Sequence, residues 1–243
     1  MALDPSKDPF GAAVENYYRN RYSLTKTIKV FSSISGEEQI KVPYLFRTEK
    51  KMPALEQLAL NTCKGLVLDI GACAGSHALA LQKKGIDVTA LEISNTCCGV
   101  MRKRGIKKVI CANIYSYEEA SYDTLLLLMN GIGLAGTIEG LKELLLHFKK
   151  LLKAGGQIIF DSSDIEYAYY EEDGSKWVDL NNTYYGQVEY TMSFKDIASD
   201  KFKWLFIDKN KMKELADELG YTFKILAEGD HYDYLGVLES FEK

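Results

Sequence analysis

Little in this chain suits it to several large functional classes. Histidine is scarce, with 3 in 243 residues, and no cysteine pair stands in C-x-x-C spacing. That argues against a zinc site, which needs clustered thiolate and imidazole ligands, and no metal is expected. The five cysteines (Cys63, Cys73, Cys97, Cys98 and Cys111) are odd in number and mostly apolar in their surroundings. They read as buried thiols in a reducing compartment, not as a disulfide framework. The longest apolar run is LLLLM at 125–129, far short of the roughly 20 residues that cross a bilayer. The opening MALDPSKDPF has no basic stretch followed by an apolar one, so no secretory leader is expected. Positive charge is not in excess: the formal net charge is -4, which disfavours a nucleic-acid partner. These absences together point to a cytoplasmic protein with neither a nucleic-acid nor a membrane partner.

What is present is ordinary globular material. Hydrophobic residues make up 47% and charged residues 26%, enough for a sizeable core and too much for a disordered chain. The length suits one domain with large additions, or two small ones. Residues 62–163 alternate between short β-rich runs and helical patterns. Strands are expected in KGLVLDIG (64–71), IDVTALE (86–92), KKVICAN (107–113), YDTLLLLMN (122–130) and QIIFDSS (157–163). Between them, SHALALQKKG (76–85) and NTCCGVMRKRG (95–105) read as helices closed by glycine. The strongest helical pattern runs over 137–156, where Leu141, Leu144, Leu145, Phe148, Leu151 and Leu152 recur at three and four before a Gly-Gly stop. A helix over 209–220 and an antiparallel pair over 221–229 and 231–240 close the chain. Strict alternation implies a doubly wound, Rossmann-like α/β fold: a mostly parallel seven-stranded sheet with a final antiparallel strand pair.

Two segments stand outside that core. Residues 1–61 predict a short helix, a hairpin (TIKVFSSI, then QIKVPYLF) and a second helix near PALEQLALN. Residues 164–208 are Tyr-rich and acidic, with two strands, GQVEYTMSF and DKFKWLFID. We expect 62–163 with 209–243 to form the ligand-binding domain. The N-terminal segment and the antiparallel insertion would form an α+β cap over the active site.

Ligands of such sheets bind beyond the carboxyl ends of the strands, where strand order reverses. The first core strand ends in VLDIGACAGSH (67–77). Gly71 and Gly75 allow a sharp bend close to a ligand, and the next helix offers free N–H groups. The loop lacks the middle glycine of a dinucleotide fingerprint and the lysine of a phosphate-binding loop. It has instead an acid, Asp69, which repels phosphate and attracts an ammonium or sulfonium. Glu92 follows 21 residues after Gly71, where an acid commonly holds two ribose hydroxyls. The combination reads as an adenosine-containing, positively charged ligand without pyrophosphate.

These residues, VLDIGACAGSHALAL followed by VTALEIS, resemble motif I and the acidic strand end of the class I S-adenosylmethionine-dependent methyltransferases. The resemblance extends to YDTLLLLMNGIGL and to LLKAGGQIIFDSSD, and the two ends of the chain look like a bacterial subgroup of unknown substrate. It implies S-adenosylmethionine as cofactor, with Asp69 orienting the methionine ammonium and Gly71, Ala72 and Gly75 wrapping the methionine part. Glu92 would hold the ribose, and Ile93 would lie under the adenine. Asn113 stands where the family commonly has an Asp on the adenine amino group; its amide oxygen can also accept. Ile114 would offer its backbone N–H to the adenine ring, and the Asn130 carbonyl would hold the methionine amine. Ala154 replaces a frequent proline. The implied reaction is an in-line displacement on the sulfonium methyl, catalysed largely by orientation and exclusion of water.

An acceptor hydroxyl or amine would also need a base. His231, set among Asp230, Tyr232 and Asp233, and Asp161, after the fifth core strand, are the candidates, with Asp164 beside the latter. His77, in the first turn after the glycine loop, faces either the site or its own helix; His147 reads as a surface residue. Arg47 and Arg21 are candidates for gripping an acidic group on the substrate. Tyr184 and Tyr185, with Tyr167, Tyr169, Tyr170, Tyr190 and Trp177, suit either an acceptor pocket or a homodimer face. The leading reading is a methyltransferase acting on a small molecule. The rivals are a non-catalytic S-adenosylmethionine sensor and a NAD-dependent oxidoreductase.

Overall fold

The computed structural model describes residues 3–20, 27–119, 121–171, 173, 175 and 183–240; Arg21 and Trp177 lie outside them. Helix α1 (Pro9–Arg19), hairpin strands β1 (Thr27–Ser32) and β2 (Gly36–Lys41), and helix α2 (Ala54–Thr62) come first. The alternating run follows: β3 (Val67–Ile70), α3 (Ser76–Lys83), β4 (Val88–Glu92), α4 (Asn95–Lys103), β5 (Lys108–Cys111), β6 (Tyr122–Leu127), α5 (Ile138–Leu151) and β7 (Leu152–Ser163). Then come β8 (Gln187–Phe194), β9 (Ile197–Ala198), β10 (Phe202–Leu205), α6 (Lys209–Leu219), β11 (Tyr221–Glu228) and β12 (Asp233–Ser240).

Seven strands form the main sheet in the order β11-β12-β7-β6-β3-β4-β5. Pairing is parallel from β7 through β5, and β12 joins β7 and β11 antiparallel. The chain runs outward from β3 to β5, then returns to the other side of β3 with β6, so order reverses between β3 and β6. Alternate side chains feed opposite layers. Leu68, Leu125, Leu127, Ile158 and Phe160 pack against α5 and α6. Val67, Leu126, Ile159 and Ala90 pack with Leu60, Leu81 and Met101 from α2, α3 and α4. Asp69 shares the face of Val67, so its carboxyl points toward the α2 and α3 side.

A second sheet, β10-β8-β1-β2 with β9 against β8, joins the N-terminal hairpin to the later insertion. Its inner face, with α1, forms a separate cluster that includes Val14, Ile28, Val30 and Phe194, together with Ala74 and Cys97 of the main domain. Specific polar ties hold it over the carboxyl ends of the main sheet. Asp8 caps α1, accepting from the Gly11 N–H at 2.7 Å, and also accepts from the hydroxyl of Ser94, the cap of α4, at 2.5 Å. Ser76 donates to the Leu45 carbonyl at 2.6 Å. The Trp204 ring lies so close over Gly133 that an added Cβ would sit 2.2 Å from its Nε1.

Two boundaries differ from the sequence reading. The hairpin's second strand stops at Lys41, and Val42–Phe46 is a 3-10 turn, because Pro43 fixes φ and donates no ladder hydrogen bond. Helix α5 ends at Leu151 rather than at the Gly-Gly pair, and Leu152 is already extended and paired with Tyr122. The register then shifts between Tyr122 and Thr124, which lets the two glycines lie in the first part of β7.

The α5 stripe gives a direct check of this packing. Leu144 is fully buried, whereas Leu146 is half exposed. Urea unfolding followed by circular dichroism should show Leu144→Ala losing about 2–5 kcal/mol and Leu146→Ala staying within about 0.5 kcal/mol of the parent. Equal losses would contradict the layer assignment.

Candidate functional site

The reversal of strand order brings the carboxyl ends of β3, β4, β6 and β7 side by side, and Asp69, Glu92, Asn130 and Asp161 stand at or near those ends. The loop after β3 is held by backbone bonds. The N–H groups of Gly71 and Ala72 donate to the Leu91 carbonyl at 2.9 and 3.1 Å, and Gly75 N–H donates to Ala72 at 2.7 Å. Gly75, at φ +79°, precedes α3; a Cβ there would meet Ile106 at 2.1 Å. Cys73 takes φ 51°, a strained position for a side-chain-bearing residue, and its N–H donates to Glu92 Oε2 at 2.8 Å. Glu92 Oε1 accepts from the N–H groups of Ile93 and Ser94 at 2.8 and 3.0 Å. Burial still raises the Glu92 carboxyl above its ordinary value against these three donors.

Asp69 is buried, and its Oδ2 has no hydrogen-bond partner. Burial raises its carboxyl, opposed by the nearby His77 and by the Ala78 N–H. Across the crevice, Met129 and Asn130 both take positive φ, 62° and 54°, two strained residues in succession of the kind that cluster at functional sites. The Asn130 N–H donates to Asp161 Oδ1 at 2.9 Å, and its amide nitrogen donates to the Leu205 carbonyl of the capping sheet at 3.2 Å. Its backbone carbonyl accepts from Gly133, whereas its side-chain Oδ1 is buried without a partner. Burial pushes the Asp161 carboxyl up to about 7, with the negative charge of Glu56 adding to the rise.

Behind Asp69 and Asp161 lies a buried ionic group. Arg47 and His77 both bond Glu56, His77 Nε2 at 2.9 Å from Glu56 Oε2. Burial alone would raise Glu56, but the hydrogen bonds from His77 and Arg47 outweigh it and hold the carboxyl below the ordinary value. Glu56 escaped the sequence reading. It falls on the apolar stripe of α2 with Ala59 and Leu60, and an acid on a buried helical stripe was the signal available for it. Arg47 is buried against this acid and lies 3.9 Å over the Tyr44 ring.

Other candidates have more local partners. Asn113 Oδ1 caps a 3-10 turn, accepting from Tyr115 N–H at 3.0 Å, and Ile114 is buried. Ile93 carries a backbone carbonyl that accepts from Leu3. His231 is exposed in the turn before β12, where its N–H donates to Asp233. Tyr184 donates to Asp208 Oδ2 at 2.6 Å and Tyr185 to Asp164 Oδ1 at 2.8 Å. Of these two acids, Asp208 caps α6. His147 bonds the Tyr117 carbonyl at 2.9 Å. Among the described residues, no group of three or more His, Cys, Asp or Glu side chains is arranged to hold a metal ion, and no helix is long and apolar enough to cross a membrane.

A crevice with two buried acceptors lacking donors, Asp69 Oδ2 and Asn130 Oδ1, fits a ligand that brings a cationic N–H group. Known proteins agree with the class of ligand. A methyltransferase-domain family model matches residues 68–160. A S-adenosylmethionine-dependent methyltransferase from Bacteroides fragilis, solved with S-adenosyl-L-homocysteine, is 40% identical with a TM-score of 0.92; the match covers 99% of this chain and 98% of that one. CcbJ methyltransferase from Streptomyces caelestis is 13% identical at a TM-score of 0.60, covering 80% and 93% of the two chains. CalS10, an amino pentose methyltransferase from Micromonospora echinaspora, is 12% identical at 0.54, covering 82% and 97%. The last two share the fold. No curated protein matches the chain. By its identity to the Bacteroides fragilis protein over nearly the whole length of both, this chain belongs to the S-adenosylmethionine-dependent methyltransferases.

Proposed function

We propose that this enzyme transfers the methyl group of S-adenosylmethionine to a small-molecule acceptor, and that Asp69 with Asn130 anchors the donor's ammonium. The observation that carries the second part is the pair of partnerless buried acceptors on either side of the β3/β6 reversal. Gly71, Ala72 and Gly75 give the loop its path around the methionine part. Glu92 has acceptor capacity left for a ribose diol beyond its three backbone donors. Ile93, Asn113 and Ile114 line the adenine end. When bound, S-adenosylmethionine supplies a sulfonium methyl whose transfer leaves a neutral thioether. The chain's part is therefore to orient the reactants and exclude water.

Support for a small acceptor comes from the capping sheet, tied down by Ser76, Asn130 and Trp204 over the strand ends, and from a net charge of -4. We treat residues 1–61 and 164–208 as the cap of a single catalytic unit made of 62–163 and 209–243. The cysteines are all free thiols, which supports a reducing cytoplasmic setting.

Asp161, rather than the exposed His231, is our candidate proton acceptor. A carboxyl that titrates near neutral pH at a strand end can take a proton from an acceptor hydroxyl or amine.

Two outcomes test these assignments. Isothermal titration should show Asp69→Asn binding S-adenosylhomocysteine about 10- to 100-fold more weakly, the loss expected when a charged hydrogen bond of about 1.5–3 kcal/mol is removed. Unchanged affinity would remove Asp69 from the site. The second outcome concerns Asp161, whose folded value lies near 7 against 3.8 for an ordinary Asp. The folded protein therefore holds this proton more tightly than the unfolded chain, and stability falls as pH rises from 3.8 to about 7. Asp161→Asn keeps an oxygen for the Asn130 N–H and carries no charge. Its Tm should exceed the parent's by the most above pH 7, with the difference closing as pH falls toward 3.8. A difference that does not change with pH would contradict the raised carboxyl.

A further inference from the structure

The capping sheet turns a row of aromatic rings toward the main domain. On β1, Phe31 is 57% exposed whereas Ser32 is buried, and residues in register share a face. Tyr190 of β8, opposite Ser32, and Phe202 of β10, opposite Tyr190, therefore face inward. Helix α1 covers one end of this inner face, packing with Ile28, Val30 and Phe194. At the other end Tyr190 and Phe202 lie nearly parallel, their ring centroids 6.0 Å apart, and Trp204 meets Phe202 edge-on at 6.3 Å. All three rings are half-buried. Neither Phe202 nor Trp204 is packed into the hydrophobic clusters around α1, α3 or α5.

The row of rings ends at the donor site. Trp204 lies against Gly133 in the 3-10 turn Gly131–Ala135, which directly follows Asn130. Asn130 then joins the neighbouring residue to the reaction centre through two hydrogen bonds. Its amide nitrogen donates to the Leu205 carbonyl at 3.2 Å, and its backbone N–H donates to Asp161 Oδ1 at 2.9 Å. A molecule lying on the rings at the Trp204 end thus abuts the loop that carries the proposed ammonium anchor, with the candidate base one hydrogen bond further on. Charge on this sheet mostly faces away: Lys29, Glu189 and Lys203 alternate with the inward residues. On the inner face of the described strands the one charged side chain is Glu38, exposed on the edge strand β2. This face offers ring surfaces and no cation for an acid.

We propose that Tyr190, Phe202 and Trp204 form the wall on which the methyl acceptor stacks, and that the acceptor is a planar aromatic molecule without an acidic group. This rests on the methyltransferase reading above and adds the chemical class of its second substrate. Offset and edge-on contacts between rings hold a flat molecule in a defined plane. That plane fixes the direction from which its nucleophile approaches the donor's methyl.

Calorimetry on the full chain keeps the two readings apart. S-adenosylhomocysteine is titrated first; failure to bind would overturn the donor site itself. The loaded protein is then titrated with naphthol, with decahydronaphthol (the same skeleton and hydroxyl without flat rings) and with naphthoate. Naphthol should bind about tenfold or more tightly than either of the others. Phe202→Leu keeps an apolar side chain but removes the central ring, and should weaken naphthol by about tenfold. Phe202→Tyr keeps the ring and should retain the parent's affinity. S-adenosylhomocysteine should bind both variants as it binds the parent. The proposal is overturned by equal binding of the flat and saturated probes, by naphthoate binding as well as naphthol, or by no binding of naphthol to the loaded protein. Naphthol affinity untouched by Phe202→Leu would also overturn it. So would Phe202→Leu losing S-adenosylhomocysteine together with naphthol, which would make the ring a structural member of the fold. A parent that dimerises in light scattering beside a monomeric Phe202→Leu would give the rings to a second copy of the chain and overturn it likewise.

Discussion

A carboxylate withdrawn from water without a counter-charge is expensive, and this fold contains such groups where its strand order reverses. Asp69 is buried with one oxygen lacking a donor, and Asn130 presents a second open oxygen across the crevice. In a packed interior such groups are normally satisfied. On the function proposed above, the donor's ammonium would supply the missing donors. The same need accounts for the loop around them: a bend at Gly71, a strained Cys73 held by Glu92, and two consecutive left-handed residues at Met129 and Asn130. Strain of this kind persists only where the surroundings fix it, and here two sheets do so.

The capping sheet belongs to this constraint as much as the main sheet does. Strands from either end of the chain's non-alternating parts pair across β1 and β8, so residues far apart in sequence close over one crevice. Arg47 reaches from the cap to Glu56 on α2, which in turn bonds His77 at the start of α3. The ionic group thus fastens the cap to the helix that follows the glycine loop. Arg47 and His77 both bond Glu56, whereas no basic side chain is hydrogen-bonded to Asp69 or Asp161 among the described residues.

Much of this was legible in the sequence because it rests on short-range periodicity. Buried parallel strands appear as continuous aliphatic runs, α5 as a stripe at three and four, and the Asp69 and Glu92 positions as acids at a fixed distance from a glycine bend. Local competition decided what was not legible. Pro43 ended a strand that alternation alone would have continued, and the pairing of Leu152 with Tyr122 ended α5 before its glycines. Partnerships across the fold carry no local signal. Nothing near Arg47 indicates that Glu56, itself bonded by His77, will pair with it, and nothing near Tyr184 indicates that its hydroxyl will engage Asp208, the cap of α6. The single sheet formed from the hairpin and the insertion is equally a matter of tertiary pairing.

A crystal structure with S-adenosylhomocysteine bound bears most directly on the claim that partnerless acceptors define the donor site. The amino nitrogen should lie about 2.7–3.2 Å from Asp69 Oδ2 or Asn130 Oδ1, or be joined to them through one ordered water, with the ribose on Glu92. A structure with the adenosyl ligand elsewhere, or with both oxygens still lacking a donor while it is bound, would contradict it.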